Sequence, residues 1–305
     1  MTPTLLVVLG PTACGKTAVA AECAYRLHGE IISADSRQVF RGMDIGTGKD
    51  LQDYDLHGAH IPYHLIDICE PGEEYSAYRF QNDFIAAFNA IAARGHAPIL
   101  CGGTGLYIES VVRDYHLSDA PINEHFRRSI AHQSDEELTQ RLAALVRLHN
   151  HTDTETRERL VRALEIAEYQ RLHPNDYHHM PAMRRAVAGI AMPREQVVRR
   201  IGERLRQRLQ QGMVAEVERL LQQGVPASRL LRYGLEYKHL TRYLTHQCSY
   251  QEMEERLFTD IRRFAKRQMT WFRRMERNGV AIHWVDGTKS LGEKADELVD
   301  FYLKY

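Results

Sequence analysis

The chain has 305 residues, 44% of them hydrophobic and 26% charged, and its 40 basic and 40 acidic side chains give a formal net charge of zero. That profile describes a globular protein of one large or two ordinary domains and excludes a disordered or fibrous chain. No stretch is apolar for long enough to cross a bilayer, and five cysteines without C-x-x-C spacing exclude a zinc-finger framework and suit a reducing, cytoplasmic setting.

The N-terminus moves from Met1-Thr-Pro straight into an apolar run, Leu5 to Leu9, without a basic leader, so no signal peptide is expected. The run ends in Gly10-Pro11-Thr12-Ala13-Cys14-Gly15-Lys16-Thr17, which fits G-x-x-x-x-G-K-[ST] in full, and a helix-compatible segment, Ala18 to Leu27, follows. Gly10 and Gly15 permit a tight turn in which successive N–H groups converge on an anion, and the helix start adds unpaired N–H groups and a positive dipole end. Lys16 supplies a mobile charge, and Thr17 supplies a hydroxyl for a Mg²⁺ bridging phosphate oxygens. This P-loop announces a diphosphate or triphosphate without saying which molecule carries it.

Further strands are expected at Ile31 to Ala34, which ends in Asp35-Ser36, and at Ala97 to Cys101, which is closed by Gly102-Gly103-Thr104-Gly105. Helices are expected over Tyr75 to Ala93 and Leu106 to Val112. Strand–helix alternation with functional residues at strand ends predicts an α/β fold, a P-loop NTPase-like, mostly parallel sheet with ligands above its carboxyl edge. Residues 114–186 are polar and rich in His, Arg and Glu, with helical patterns from Glu136 to Leu148 and Glu155 to Tyr169 and a loop over 172–184. They read as a helical insertion domain between a first core part, 1–113, and a second, 187–305. Ala186 to Ala191 returns to the sheet. Pro193 opens a long helix with Val197, Ile201, Leu205 and Leu209 on one face. A long basic helix, Gln251 to Arg277, a strand, Val280 to Val285, and a last helix, 290–303, complete the chain.

The neutral total hides an asymmetry. Arg194 to Arg277 carries 19 Lys and Arg against 10 Asp and Glu, a local net of +9, and the remainder is −9. A basic region of this kind predicts a polyanionic partner or a solvated helical surface. His57, His60 and His64 sit in a loop-like segment with no cysteine and are read as non-ligands. Met269, Trp271 and Phe272 are read as helix core.

The second strand end narrows the reading. Ile32-Ser-Ala-Asp35-Ser36-Arg37-Gln38-Val-Phe40-Arg41-Gly-Met43-Asp44-Ile45-Gly46-Thr47 closely resembles the signature of bacterial tRNA dimethylallyltransferases, the tRNA isopentenyltransferase family. His64-Leu-Ile-Asp67-Ile68, Tyr75-Ser-Ala, Gly102 to Tyr107, Tyr233-Gly-Leu-Glu-Tyr237 and Ala265 to Arg273 agree with it, so the resemblance covers nearly the whole chain. It implies transfer of a dimethylallyl group from dimethylallyl diphosphate to the exocyclic N6 of the adenine 3′-adjacent to the anticodon. Residues 10–17 would then hold the leaving diphosphate, with Thr17 on the Mg²⁺ cofactor. Asp35 is implied as the general base, a Walker-B-like Mg²⁺ ligand being its other reading. Arg204 is implied as the arginine that reaches the diphosphate, although Arg199, Arg200, Arg206 and Arg208 stand close by in sequence.

Contacts to the anticodon stem-loop of tRNA are implied for Asp35, Ser36, Arg37, Gln38, Thr104, Arg127, Arg159, Arg162, Arg232 and Lys238. The target base would leave its stack to reach the diphosphate. The cysteine usage points to a cytoplasmic protein, and the lack of an exposed apolar seam suggests a monomer. Cys14 departs from the family's usual serine, and the insertion is shorter than in well-known bacterial members. Prenyl transfer to free AMP, ADP or ATP, and a P-loop ATPase or kinase, are the competing functions. The basic region opposes the first and the Asp35 signature the second.

Overall fold

A computed structural model describes residues 2–146 and 154–305. In chain order the first elements are β1 (Thr4–Leu9), α1 (Lys16–Leu27), β2 (Gly29–Ala34), the short pair β3 (Asp55–Leu56) and β4 (Ala59–His60), β5 (Tyr63–His64), α2 (Ala77–Ala93), β6 (Ala97–Gly102) and α3 (Gly105–Val112). Next come α4 (Glu124–Ser129), α5 (Asp135–Leu145), α6 (Arg157–Leu172), β7 (Arg184–Ala191), α7 (Arg194–Gln210), α8 (Met213–Gln222), α9 (Ala227–Leu230), α10 (Leu235–Leu244), α11 (Tyr250–Arg277), β8 (His283–Asp286) and α12 (Leu291–Tyr302). The end of the helix expected to run to Leu148 lies outside the described residues.

Six strands form one sheet in the order β5-β2-β6-β1-β7-β8, with every pairing parallel. Its central strands are buried almost end to end because both faces are covered, and apart from Thr4, Glu30 and Ser33 they are built of apolar residues and glycine. Leu6 and Val8 face Ala20, Ala24, Ala295 and Leu298 from α1 and α12. Leu5, Val7 and Leu9 face Phe80, Phe84 and Phe88 of α2 and Phe272 and Met275 of α11. A third cluster joins Val39, Phe40 and Met43 to α7, α8, α10 and the first half of α11. Ser249 starts α11 with a capping box, which fixes where a 28-residue helix begins.

The chain divides into two compact units, one of Met1–Tyr115 with Met180–Tyr305 and one of His116–His179. The second is helical and is built around Ile130, Leu138, Leu142, Leu160, Leu164 and Ala167. Residues 180–186, read from composition as part of the insertion, belong to the sheet-bearing unit. Met183 is buried in its core, and the Arg184 N–H bonds to the Pro3 carbonyl at 3.0 Å. The long apolar helix face beginning at Pro193 breaks at Gly212, whose φ of +99° ends α7 and lets α8 set off.

Among the described residues, no three or more His, Cys, Asp and Glu are grouped to hold a metal ion. His57 instead pairs with the buried Glu22 at 2.8 Å, and His64 with the buried Glu30 at 2.7 Å. Glu30 also takes Arg94 at 2.7 Å and His96 at 2.7 Å. Burial pushes its carboxyl up, but the bonds from Arg94, His64 and His96 outweigh that and hold it down at about 2. A carboxylate depressed by folding stabilises above its unfolded pKa, and that stability disappears as pH falls through the folded value. We therefore expect Glu30 to contribute about 3 kcal/mol that vanishes between about pH 4.5 and pH 2. Acid titration of unfolding should show Glu30→Gln less stable at neutral pH, with a shallower decline over that window. Equal slopes for the two proteins would refute the assignment.

Candidate active site

The site begins with strand register. Leu9 and Ala34 both pair with Gly102, so β1, β6 and β2 end in one row at the carboxyl edge. The next residues are Gly10, Gly103 and Asp35. Adjacent strands lie about 4.8 Å apart, so the start of the P-loop and the end of β2 are two strand spacings from one another, with the Gly103 turn between them. Gly102 must be glycine, because a Cβ there would run into the carbonyl of Ala34. Asp35 Oδ1 accepts the Arg37 N–H at 2.9 Å, an Asx-turn that bends the chain off the sheet.

The P-loop leads into α1, and Gly15, its N-cap, has a φ of +82°. Ala13 also has a positive φ, 64°. Cys14 is fully buried, and its Sγ is the nearest atom to a Cβ built on Gly10, at 2.7 Å. The thiol therefore packs inside the loop.

α7 crosses above this loop. Arg204 Nη2 donates to Thr12 Oγ1. One turn earlier, Arg200 Nη1 lies 3.9 Å from the Cβ position of Gly15. One turn later, the buried Arg208 bonds Asp50 at 3.1 Å. The i, i+4 spacing of 200, 204 and 208 thus selects the arginines that face inward, while Arg199 and Arg206 are exposed. Burial, with Arg208 nearby, pushes the Arg204 guanidinium down to about 10, so it remains charged at neutral pH. Arg204 and Arg208 line a small cavity with Ile201, Leu205, Met213, Ile261 and Glu236. Burial raises the Glu236 carboxyl, and the negative charge of Asp35 adds to that rise.

The remaining residues singled out from sequence fall into several environments. Thr104 Oγ1 accepts the Ser36 N–H at 3.1 Å, which ties the β6 turn to the strand end that bears Asp35. The Gln38 amide is oriented by the protein, accepting from Ser33 Oγ at 3.0 Å and donating to the Gly48 carbonyl at 3.0 Å, which leaves one N–H and one lone pair for a ligand. Burial holds the Arg37 guanidinium below its usual range, and its chain lies 3.6 Å from the Cβ position of Gly234. Arg232 is exposed and Lys238 half-buried in the sheet-bearing unit. Arg127, Arg159 and Arg162 belong to the other unit. There Arg127 and Arg162 converge on the buried Glu165 at 3.0 and 2.6 Å, and Arg159 pairs with Glu155 at 2.7 Å on the surface.

The family model described as IPP transferase matches residues 38–275. The chain belongs to the IPP transferase family. It is 50% identical over 298 residues to tRNA dimethylallyltransferase 2 of Porphyromonas gingivalis, covering 98% of this chain and 99% of that one. It is 51% identical over 300 residues to tRNA dimethylallyltransferase 2 of Trichlorobacter lovleyi, covering 98% and 97%. The crystal structure of the tRNA isopentenylpyrophosphate transferase from Bacillus halodurans superposes with a TM-score of 0.72 at 31% identity, covering 99% of this chain and 96% of that one. A structure of a eukaryotic dimethylallyltransferase acting on tRNA shares the fold, with a TM-score of 0.67 at 21% identity, covering 94% and 75%.

Two residues that shape the site were not singled out from sequence. Gln268 lies within the Ala265 to Arg273 stretch and reaches both the P-loop and the Gly103 turn. Glu216 is 4% exposed and accepts N–H groups from Asp44, Ile45 and Gly46 at 2.8, 2.7 and 3.0 Å and the Tyr237 hydroxyl at 2.6 Å. One carboxylate thereby pins the Asp44 to Thr47 loop. Gly46 is required there, since a Cβ would meet the Tyr237 ring at 2.8 Å. The available signal was a lone acid amid the apolar face of α8, beside Val217 and Leu220.

Proposed function

We propose that this chain transfers the dimethylallyl group of dimethylallyl diphosphate to N6 of the adenine 3′-adjacent to the anticodon in tRNA, releasing diphosphate. The observation that carries the reading is the row at the sheet edge. A phosphate-binding loop and a carboxylate occupy the two ends of one short line, with an arginine over the loop. An allylic diphosphate needs anion stabilisation at its leaving group, and an exocyclic amine needs an acceptor for its proton. The tRNA-directed names of relatives at half identity over almost the whole length point to the same chemistry.

In this mechanism the N–H groups of residues 13–17, Lys16 and Arg204 bind the diphosphate and stabilise the charge that grows as the C–O bond breaks. Asp35 accepts the N6 proton as the new C–N bond forms. Thr17 offers a hard oxygen at the head of α1. Through that hydroxyl Thr17 would hold a Mg²⁺, a hard cation that takes oxygen ligands. When bound, it adds positive charge at the leaving group. Asp35, Ser36, Arg37, Gln38, Thr104, Arg232 and Lys238 are the contacts proposed for the anticodon stem-loop on the sheet-bearing unit, and Arg127, Arg159 and Arg162 those on the helical unit. The reading takes the protein as a cytoplasmic monomer. Among the described residues, no helix is long and apolar enough to cross a membrane.

The test offers labelled dimethylallyl diphosphate and Mg²⁺ together with unmodified tRNA, AMP or ATP. Label should enter tRNA alone. Label entering AMP or ATP would assign a free-nucleotide prenyltransferase, and ATP hydrolysis without transfer would overturn the reading.

A further inference from the structure

Backbone pairing fixes Leu9, Gly102 and Ala34 in register, and then the ladder stops. Beyond that row the Gly103 turn is still tied to the end of β2, by the Thr104 N–H on the Ala34 carbonyl at 3.2 Å and the Thr104 hydroxyl on Ser36. A side chain ties the same turn to the P-loop. Gln268 of α11, 6% exposed, accepts the Thr12 N–H on Oε1 at 2.8 Å and donates from Nε2 to the Gly103 carbonyl at 2.9 Å. The orientation of this amide is determined by its partners, because a backbone N–H can only donate and a carbonyl can only accept. A primary amide placed this way supplies both groups of a peptide unit, so it acts as an extra rung between two loops. The fit is close, since a Cβ on Gly103 would overlap Nε2.

The rung lies in a continuous line of contacts. At one end Thr12 takes the Arg204 guanidinium on its hydroxyl. At the other, Gly103 is followed by Thr104, which holds the Ser36 N–H next to Asp35. Displacement at carbon needs the reacting atoms about 3–3.5 Å apart and in line, and an error of about 1 Å costs on the order of 10²-fold in rate. We infer that Gln268 is a positioning residue that sets the separation between the diphosphate loop and Asp35. This inference rests on the prenyl-transfer reading above. Gln268 itself takes no proton and holds no charge.

Two variants of the full chain test it, assayed for transfer to tRNA. Gln268→Met keeps the length and removes both bonds. Its kcat should fall by about 10²-fold, with the KM for dimethylallyl diphosphate within about threefold of the parent. Gln268→Glu keeps the acceptor for Thr12, but it can bond the Gly103 carbonyl only when protonated. Its kcat relative to the parent should therefore rise by about tenfold as pH falls from about 8 to about 6, since burial beside a carbonyl raises a carboxyl pKa. An ionised carboxylate beside the P-loop would also repel the diphosphate, and that repulsion is read separately as a raised KM for dimethylallyl diphosphate, so the kcat ratio is taken at saturating diphosphate. A Met variant with parental kcat, a change in KM alone, or a flat pH ratio for the Glu variant would overturn the inference. If Gln268→Met fails to fold, the pH ratio of Gln268→Glu decides alone. A parent enzyme that labels no tRNA refutes the underlying function, whereas a labelling parent with unaffected variants refutes only the role of Gln268.

Discussion

Replacing Asp35 with asparagine should lower the turnover of prenyl transfer by about 10³-fold while leaving the fold in place. Asparagine is isosteric and retains a side-chain oxygen to accept the Arg37 N–H, so the turn after β2 should persist. It cannot take up the proton that N6 must lose. The proton would then pass to water, and the benefit of a placed base would be lost. The measurement is single-turnover transfer of labelled dimethylallyl to saturating tRNA, with tRNA affinity followed separately. Affinity should change by no more than about threefold, since the effect belongs to the transition state. Turnover within about tenfold of the parent would remove Asp35 from the role of base and leave it as a contact to the base or the metal.

The second large effect is structural. Glu216→Ala removes the acceptor for three backbone N–H groups and a tyrosine hydroxyl at once. Each orphaned buried donor costs about 1–3 kcal/mol, and because Asp44 and Ile45 can reach some water the sum should be about 3–5 kcal/mol. For a chain of this size the thermal midpoint should drop by roughly 6–15 °C. Glu216→Gln should fall between the two, because its amide nitrogen would face donors. Transfer activity should fall as well. The loop that Glu216 pins runs on to Gly48, whose carbonyl takes the Gln38 amide, and Gln38 follows Asp35 by three residues. An unchanged unfolding midpoint would show that the loop is held by other means.

Much of the fold was legible because its signals are local. The apolar runs of β1, β2 and β6 are bounded by glycine or Asp-Ser, and the P-loop consists of contiguous residues, so each could be read within about ten positions. The site's cross-braces are not local. Gln268 is 256 residues from Thr12, and Glu216 is 170 from Gly46. A sequence pattern carries no information about which distant backbone groups a buried amide or carboxylate will meet. The inward arginines were half legible. Their four-residue step on α7 matches that of Ile201, Leu205 and Leu209, one position behind, but the charge density of the segment masked it. The link from Arg127 and Arg162 to Glu165 was similarly hidden, because a surface arginine and one bound to an internal acid look identical in sequence. The direction of Cys14 became visible only with the turn itself in place.

The strand order also has a consequence for how the protein is made. β1 is synthesised first, yet its neighbour on one side, β7, begins at Arg184, and the amide that braces the P-loop is Gln268. A ribosome adding about 5–20 residues each second therefore exposes a half-built sheet for many seconds before either partner emerges. During that time β1 can pair only through β6, and the unpaired flank of an apolar central strand is open to other chains. Such long-range parallel pairing is slow to form. Nascent chains halted before Gln268 should thus carry a recognisable sheet core but no competent phosphate loop, and they should depend on chaperones more than the completed protein does.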